Sequence, residues 1–317
     1  KFASLGGWIN AIIPILIVPY YSVIGGWVIK YLVEYIIGGS KLLAGDDYFT
    51  NFITGGFSAE ICFIIFTFIT LAIIYAGVRN GIERVSKFMM PILIVLSIII
   101  TIYSVTRPGA LAGVKYFLIP NFENFSWMTV VAAMGQMFYS MSLAMGIMIT
   151  YGSYTKDEVS IVKSVNQIEI FDTGIAILAG MMVVPAVYIF SGEAGTSQSG
   201  AGLMFVTLPK VFTQMTAGRF IGGLFFVLVF FAALTSSVSV MEAIVSMLID
   251  RFHISRIKAC LGVIIFSVAL GIPCSLGNGV WSHITILGMD FLTFFDFISN
   301  SLLLPIVAFF TCLMIGW

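Results

Sequence analysis

Residues 135–154 read GQMFYSMSLAMGIMITYGSY. The stretch is apolar enough for a membrane interior, yet Ser140 and Ser142 stand at its middle and Gly146 follows one turn later. Serine hydroxyls compete for backbone hydrogen bonds and glycine weakens helical backbone, so a continuous helix is poorly specified here. Interrupted winding at membrane depth is tolerated only where protein or a water-filled cavity satisfies the freed polar groups. Broken helices with polar centres form the substrate and ion sites of secondary transporters. A bundle helix that uses small residues for close packing accounts for the same string equally well.

Two further groups suit cation chemistry. Asp172 sits about one and a half turns into the apolar run SVNQIEIFDTGIAILAGMMVVPAVY. A carboxylate deep in a bilayer costs roughly 2.5–3.5 kcal/mol by insertion scales, so a cation, a proton or a basic partner has to offset it. No Lys or Arg occupies the central part of any apolar run, which leaves a metal cation, a proton, or a partner from outside this sequence, the plainer alternative being a protonated aspartate bonded to a neighbouring helix. In FFAALTSSVSVME, residues 230–242, Thr235, Ser236, Ser237 and Ser239 fall within two turns. Hydroxyl and carbonyl oxygens are hard donors matched to a hard cation. Isolated Ser or Thr in such helices more often bonds back to its own helix. Glu242 reads as structural, near a membrane interface. The Tyr20–Tyr21 pair reads as packing, and Asp290 as a solvated rim charge.

The elements that must position these groups are membrane helices. Hydrophobic residues make up 60% of the chain and charged ones 9%, against about 25% charged in soluble domains. The mean hydropathy of +1.08 agrees. Net charge is zero, so no nucleic-acid partner is expected. Cys62, Cys260, Cys274 and Cys312 lie in or beside apolar runs without metal-ligand spacing, and His253 and His283 have no partner pattern. With about 20 apolar residues per span, eight spans are predicted: 7–37, 60–77, 87–106, 127–152, 167–190, 218–248, 257–275 and 284–316. Lys1, Arg79, Arg84, Lys87, Lys156, Lys163, Arg251, Arg256 and Lys258 gather on alternate loops, which puts both ends of the chain in the cytoplasm. The outer loop 191–217 carries GLMFVTLPKVF, Gly202 to Phe212. This apolar run is too short to span, so it is expected to be a re-entrant or capping element.

Five stretches, in order along nearly the whole chain, resemble the neurotransmitter:sodium symporter family, bacterial branch. They are Pro19–Trp27 (PYYSVIGGW), Gly77–Pro91 (GVRNGIERVSKFMMP), Gly135–Tyr154, Phe171–Tyr188 and Phe230–Glu242. The resemblance implies an all-α, polytopic membrane helical bundle with a LeuT-like fold. It implies one transmembrane domain over 1–317 that matches the family's third to tenth spans. The inverted repeat would then be partial, the helix broken at 139–146, and transport a property of a longer parent protein. The expected location is a bacterial inner membrane.

The resemblance also implies roles. Tyr21 is similar to the tyrosine that contacts the substrate carboxylate, Ile17 would line the side-chain pocket, and Tyr139 resembles the aromatic lid. Ser142, Met145, Ser237 and Val240 would complete the substrate pocket. Ser140 and Asp172 would hold a first sodium. Ala232, through its carbonyl, Thr235 and Ser236 would hold a second. Asp296 resembles the acidic half of an outer gate whose arginine lies in another span. Asp172 stands where many members carry asparagine. A fixed negative charge there implies independence of chloride, which animal members need. Met145 replaces a bulkier aromatic, which favours a large hydrophobic or aromatic amino acid. Rival readings are a proton-coupled transporter, a passive channel and an intramembrane aspartyl protease that pairs Asp172 with Asp296.

Overall fold

The computed structural model describes residues 2–55, 57–122, 125–196 and 200–316. Apart from an isolated bridge between Ile286 and Met289, these residues form helices and their connections. In chain order, α1 spans Phe2–Ile37, α2 Ser40–Leu43, α3 Tyr48–Thr54 and α4 Phe57–Tyr75. A π-helical segment, Val78–Glu83, leads into α5, Arg84–Val105, followed by α6, Ala110–Leu118. Next come α7, Trp127–Ser140, α8, Ile147–Ser153, α9, Ile161–Thr196, and α10, Gly200–Gly202. A π turn, Leu203–Thr207, joins α11, Leu208–Gln214, and then come α12, Gly218–Phe252, and α13, Arg256–Leu276. The last span is α14, Phe291–Asp296, a π-helical Phe297–Leu303, and α15, Leu304–Gly316.

Seven helices among the described residues are long and apolar enough to cross a membrane. The fourth expected span, 127–152, is interrupted. Helix α7 stops at Ser140, α8 starts at Ile147, and residues 141–146 between them are turn and bend. The break is therefore narrower than the expected 139–146, because Tyr139 and Ser140 still belong to α7. Other boundaries moved as well. The expected loop 78–86 is mostly wound, since the only sharp interruption is at Gly77, with φ 86° and ψ 174°. Helix α9 begins at Ile161, so Asp172 lies about three turns in. The final span begins at Phe291, not 284.

Helix α1 is the central post and packs along α12 and α4, with further contacts to α13 and α15. Ile13, Ile17, Tyr20, Val23, Trp27, Tyr31 and Tyr35 recur at helical spacing and are all buried. Pro14 and Pro19 lie inside α1 and remove two backbone donors. Gly25 and Gly26 set the crossing with α4. A Cβ at Gly25 would fall 2.4 Å from the Phe66 ring, and one at Gly26 would fall 2.5 Å from the Phe63 backbone nitrogen. Small residues permit such approach where hydrocarbon surroundings give apolar faces no separate drive to associate. Phe63's backbone cannot move aside as a ring might, so Gly26→Ala is expected to cost about 1–3 kcal/mol. Thermal unfolding in detergent should shift down, and an unchanged unfolding temperature would contradict this packing.

At the end of α1, the run expected to cap does so. The Tyr31 hydroxyl donates to the Phe205 carbonyl at 2.7 Å. The Phe205 ring stacks on Phe49 and meets Trp27 and Tyr31 edge-on. Lys210 pairs with Asp46 and holds its carboxyl below the ordinary range. Arg219 donates to the carbonyls of Tyr35 and Ile36, which satisfies orphan acceptors at the α1 C-terminus. A second group of helices, α5, α6 and α9, packs to one side, with Gly113 of α6 against Pro185 of α9.

Candidate functional site

The site is organised by the break between α7 and α8. Ser142, Ala144 and Gly146 have positive φ of 55°, 59° and 76°. Left-handed conformations are strained for residues other than glycine and persist where the surroundings over-determine them. The Leu143 amide reaches back to the Phe138 carbonyl at 2.9 Å and the Ser142 amide to Tyr139 at 3.1 Å, closing the α7 end. Gly146 begins the second half, with its carbonyl accepting from Thr150. A Cβ at Gly146 would lie 3.8 Å from the Asn10 carbonyl, one of those left without its helical donor by Pro14.

Ser140, on the last turn of α7, donates its hydroxyl to Asp172 Oδ1 of α9 at 2.6 Å. Ser140 is exposed and Asp172 half-buried. Thus the two residues assigned to a first cation meet across a sequence separation of 32. On α12, the Thr235 hydroxyl lies 3.1 Å from the Ala232 carbonyl and 3.0 Å from that of Phe231. Hydroxyl and carbonyl oxygens therefore share one patch of helix surface. Ser236 is exposed on the same helix. These donors are oxygens alone, and the described residues hold no group of three or more His, Cys, Asp or Glu. Such a donor set fits a hard cation and not a thiophilic one.

Tyr139 is half-buried and packs against the core cluster. Ile17 and Met145 are buried in the core, at 1% and 2% exposure, and Val240 is buried with them. Ser142 is half-buried at a left-handed position. Ser237 is buried on α12 and accepts from Thr70 of α4 at 3.4 Å, so its hydroxyl is engaged away from Ser236. Asp296 accepts from Asn300 at 2.5 Å. Among the described residues, Asp172 and Asp296 share no hydrogen-bond partner. A cavity of about 480 Å³ begins at Gly146 and Asn10 and reaches Asp250 and Arg251, but none of the residues assigned to substrate line it.

Below the break, α8 is fastened to α12 at two points in register. Tyr151 meets Ser239 at 2.8 Å, and Tyr154 donates to Glu242 Oε1 at 2.8 Å. Glu242 is fully buried and accepts from both terminal nitrogens of Arg256, Nη1 at 3.1 Å and Nη2 at 2.5 Å. Arg256 also donates to the Ile74 carbonyl, which binds the ends of α4, α12 and α13 together. The structural role expected for Glu242 is met. Its partner Arg256 lies 14 residues on, across a helix turnabout, and spacing gave no hint of it.

The sodium:neurotransmitter symporter family model matches residues 52–317. The chain belongs to that family. Among its relatives, an uncharacterized sodium-dependent transporter, YhdH, of Bacillus subtilis is 35% identical over 98% of this chain and 69% of its own length. One from Haemophilus influenzae is 32% identical over the whole chain and 70% of its own. A rat sodium- and chloride-dependent taurine transporter is 26% identical over 81% of this chain and 42% of its own. The crystal structure of MhsT in complex with L-phenylalanine superposes with a TM-score of 0.88 at 35% identity, covering all of this chain and 72% of that one. The fold is accordingly LeuT-like and all-helical, and the family's members are integral membrane transporters. The protein is thus a member of a transporter family.

Proposed function

We propose that this protein takes part in sodium-driven import of a large hydrophobic or aromatic amino acid by alternating access. The observation that carries the reading is the Ser140 hydroxyl bonded to Asp172 at the end of a broken helix. Ser140 and Asp172 hold a first sodium, and the Ala232 carbonyl with Thr235 and Ser236 holds a second. Tyr21 contacts the substrate, Tyr139 closes over it, and Ser142, Met145, Ile17, Ser237 and Val240 form the pocket wall. The phenylalanine bound by the 35%-identical MhsT supports an aromatic substrate. The Asp172 charge makes chloride unnecessary. The domain spans 1–317, lies in a bacterial inner membrane and places both of its ends in the cytoplasm.

Coupling follows from differential affinity. Sodium binds the ordered arrangement of the break more tightly than a loosened one, and the substrate binds the same ordered state, so each favours the other reciprocally. Rocking of one helix group against the rest then exposes the site to the other side. The test is uptake of labelled phenylalanine by the full-length protein in proteoliposomes. Accumulation is expected only with an inward sodium gradient. Equal uptake in potassium, or uptake driven by a pH gradient without sodium, overturns the reading.

A further inference from the structure

Two hydroxyls outside the assigned ion sites lie end to end between α8 and α12. Ser239 reaches back along α12 and donates to the Thr235 carbonyl at 3.1 Å. A serine hydroxyl has one proton to give. With that proton on a carbonyl, the 2.8 Å contact between Tyr151 and Ser239 has one sense: the Tyr151 phenol donates and Ser239 Oγ accepts. The two bonds point the same way and polarise each other. The Thr235 hydroxyl in turn shares its proton between the carbonyls of Phe231 and Ala232, at 3.0 and 3.1 Å. A hydroxyl that bonds the carbonyl four residues back competes with the helix's own amide and bends the turn. Ser239 therefore shapes the turn that carries Thr235 and Ser236, and Tyr151 holds Ser239.

Tyr151 belongs to α8, the half of the broken helix that follows Gly146. The cavity of about 480 Å³ runs along the same seam, between Thr150 and Ser153 of α8 and Ser246 and Met247 of α12. We propose that Tyr151 and Ser239 are positioning residues that tie the second cation site to the docking of α8 on α12. A cation on the Ala232 carbonyl, Thr235 and Ser236 fixes the turn to which Ser239 is bonded; its departure loosens α8 and widens the cavity. This rests on reading those three residues as sodium ligands. By reciprocity, a bond that the cation strengthens also strengthens the hold on the cation. Tyr154 docks the same helix through Glu242 and Arg256, a route that bypasses Thr235.

The experiment follows the unfolding temperature of the purified full-length protein as sodium replaces choline at constant ionic strength, without substrate. Sodium should raise it, as a ligand of the native state does, and the rise yields an apparent sodium dissociation constant. Tyr151→Phe removes one hydroxyl and should raise that constant about fivefold, the scale of one hydrogen bond. Ser239→Ala should act in the same direction. The double variant should exceed Ser239→Ala by no more than about twofold, since both remove one bond. Tyr154→Phe should lower the unfolding temperature and leave the sodium constant unchanged. Added to Thr235→Val, which lacks the hydroxyl of the second site, Tyr151→Phe should have no further effect on sodium. An unchanged constant in Tyr151→Phe, an equal rise in Tyr154→Phe, or an undiminished effect on the Thr235→Val background overturns the tie alone. A sodium response that Thr235→Val leaves whole overturns the reading of the second site, and the tie with it.

Discussion

Asp172→Ser is expected to reduce phenylalanine uptake about 100-fold in chloride-free medium, and added chloride should restore most of it. The carboxylate is the negative charge nearest the Ser140 hydroxyl. At about 4 Å and an effective dielectric near 20, a unit charge contributes ~4 kcal/mol to a bound cation. Water that replaces the carboxylate recovers part of this, which leaves about 3 kcal/mol, or roughly two orders of magnitude in sodium affinity. Serine frees space for an anion while keeping an oxygen ligand, so chloride can supply the missing charge. Uptake assayed with sodium gluconate and then sodium chloride distinguishes the cases. Indifference of the variant to chloride would discard the assignment of Asp172 as a built-in anion.

The second large effect is on stability. Arg256→Ala should destabilise the protein by about 3–5 kcal/mol, because it leaves the Glu242 carboxylate buried and uncompensated. It also strips the Ile74 carbonyl of its donor. The cost arises from the orphaned charge and not from any large net value of the pair. Arg256→Ala combined with Glu242→Gln should therefore lose markedly less than the two single costs summed, with Gln still able to accept from Tyr154. Thermal unfolding in detergent reads both variants. Additive losses would show that the charges act separately.

What the sequence showed and what it hid divide along a physical line. The long helices were legible because hydrophobic runs report the solvent, whatever their partners. The break at 141–146 was legible because Ser142 and Gly146 are locally poor helix formers, a property needing no tertiary knowledge. Its confinement after Ser140 was not, because that depends on back-bonding from Leu143 to Phe138. Helix α6, nine residues in a supposed loop, forms by docking on α9, with Gly113 against Pro185, and its string ALAGVKYFL is too short to announce itself. The meeting of Ser140 with Asp172 had no periodic signal and came only from family likeness. Tyr20 was passed over because its partner Asn300 lies 280 positions away. The polar pair Ser299–Asn300 within an apolar span was the available clue, since amides in such spans seek partners. Within this chain Asp296 takes Asn300, because side chains four residues apart on a helix are neighbours.

Oxygen atoms at a helix break are the proposed sodium ligands. Equilibrium binding of radiolabelled sodium to the purified full-length protein in chloride-free buffer, with and without phenylalanine, tests this most directly when Asp172→Asn is compared with the unmodified chain. The expected result is saturable binding that phenylalanine tightens, lost by about 100-fold in the variant at one of two sites. Unchanged sodium affinity in Asp172→Asn, or sodium binding indifferent to phenylalanine in the unmodified protein, would contradict it.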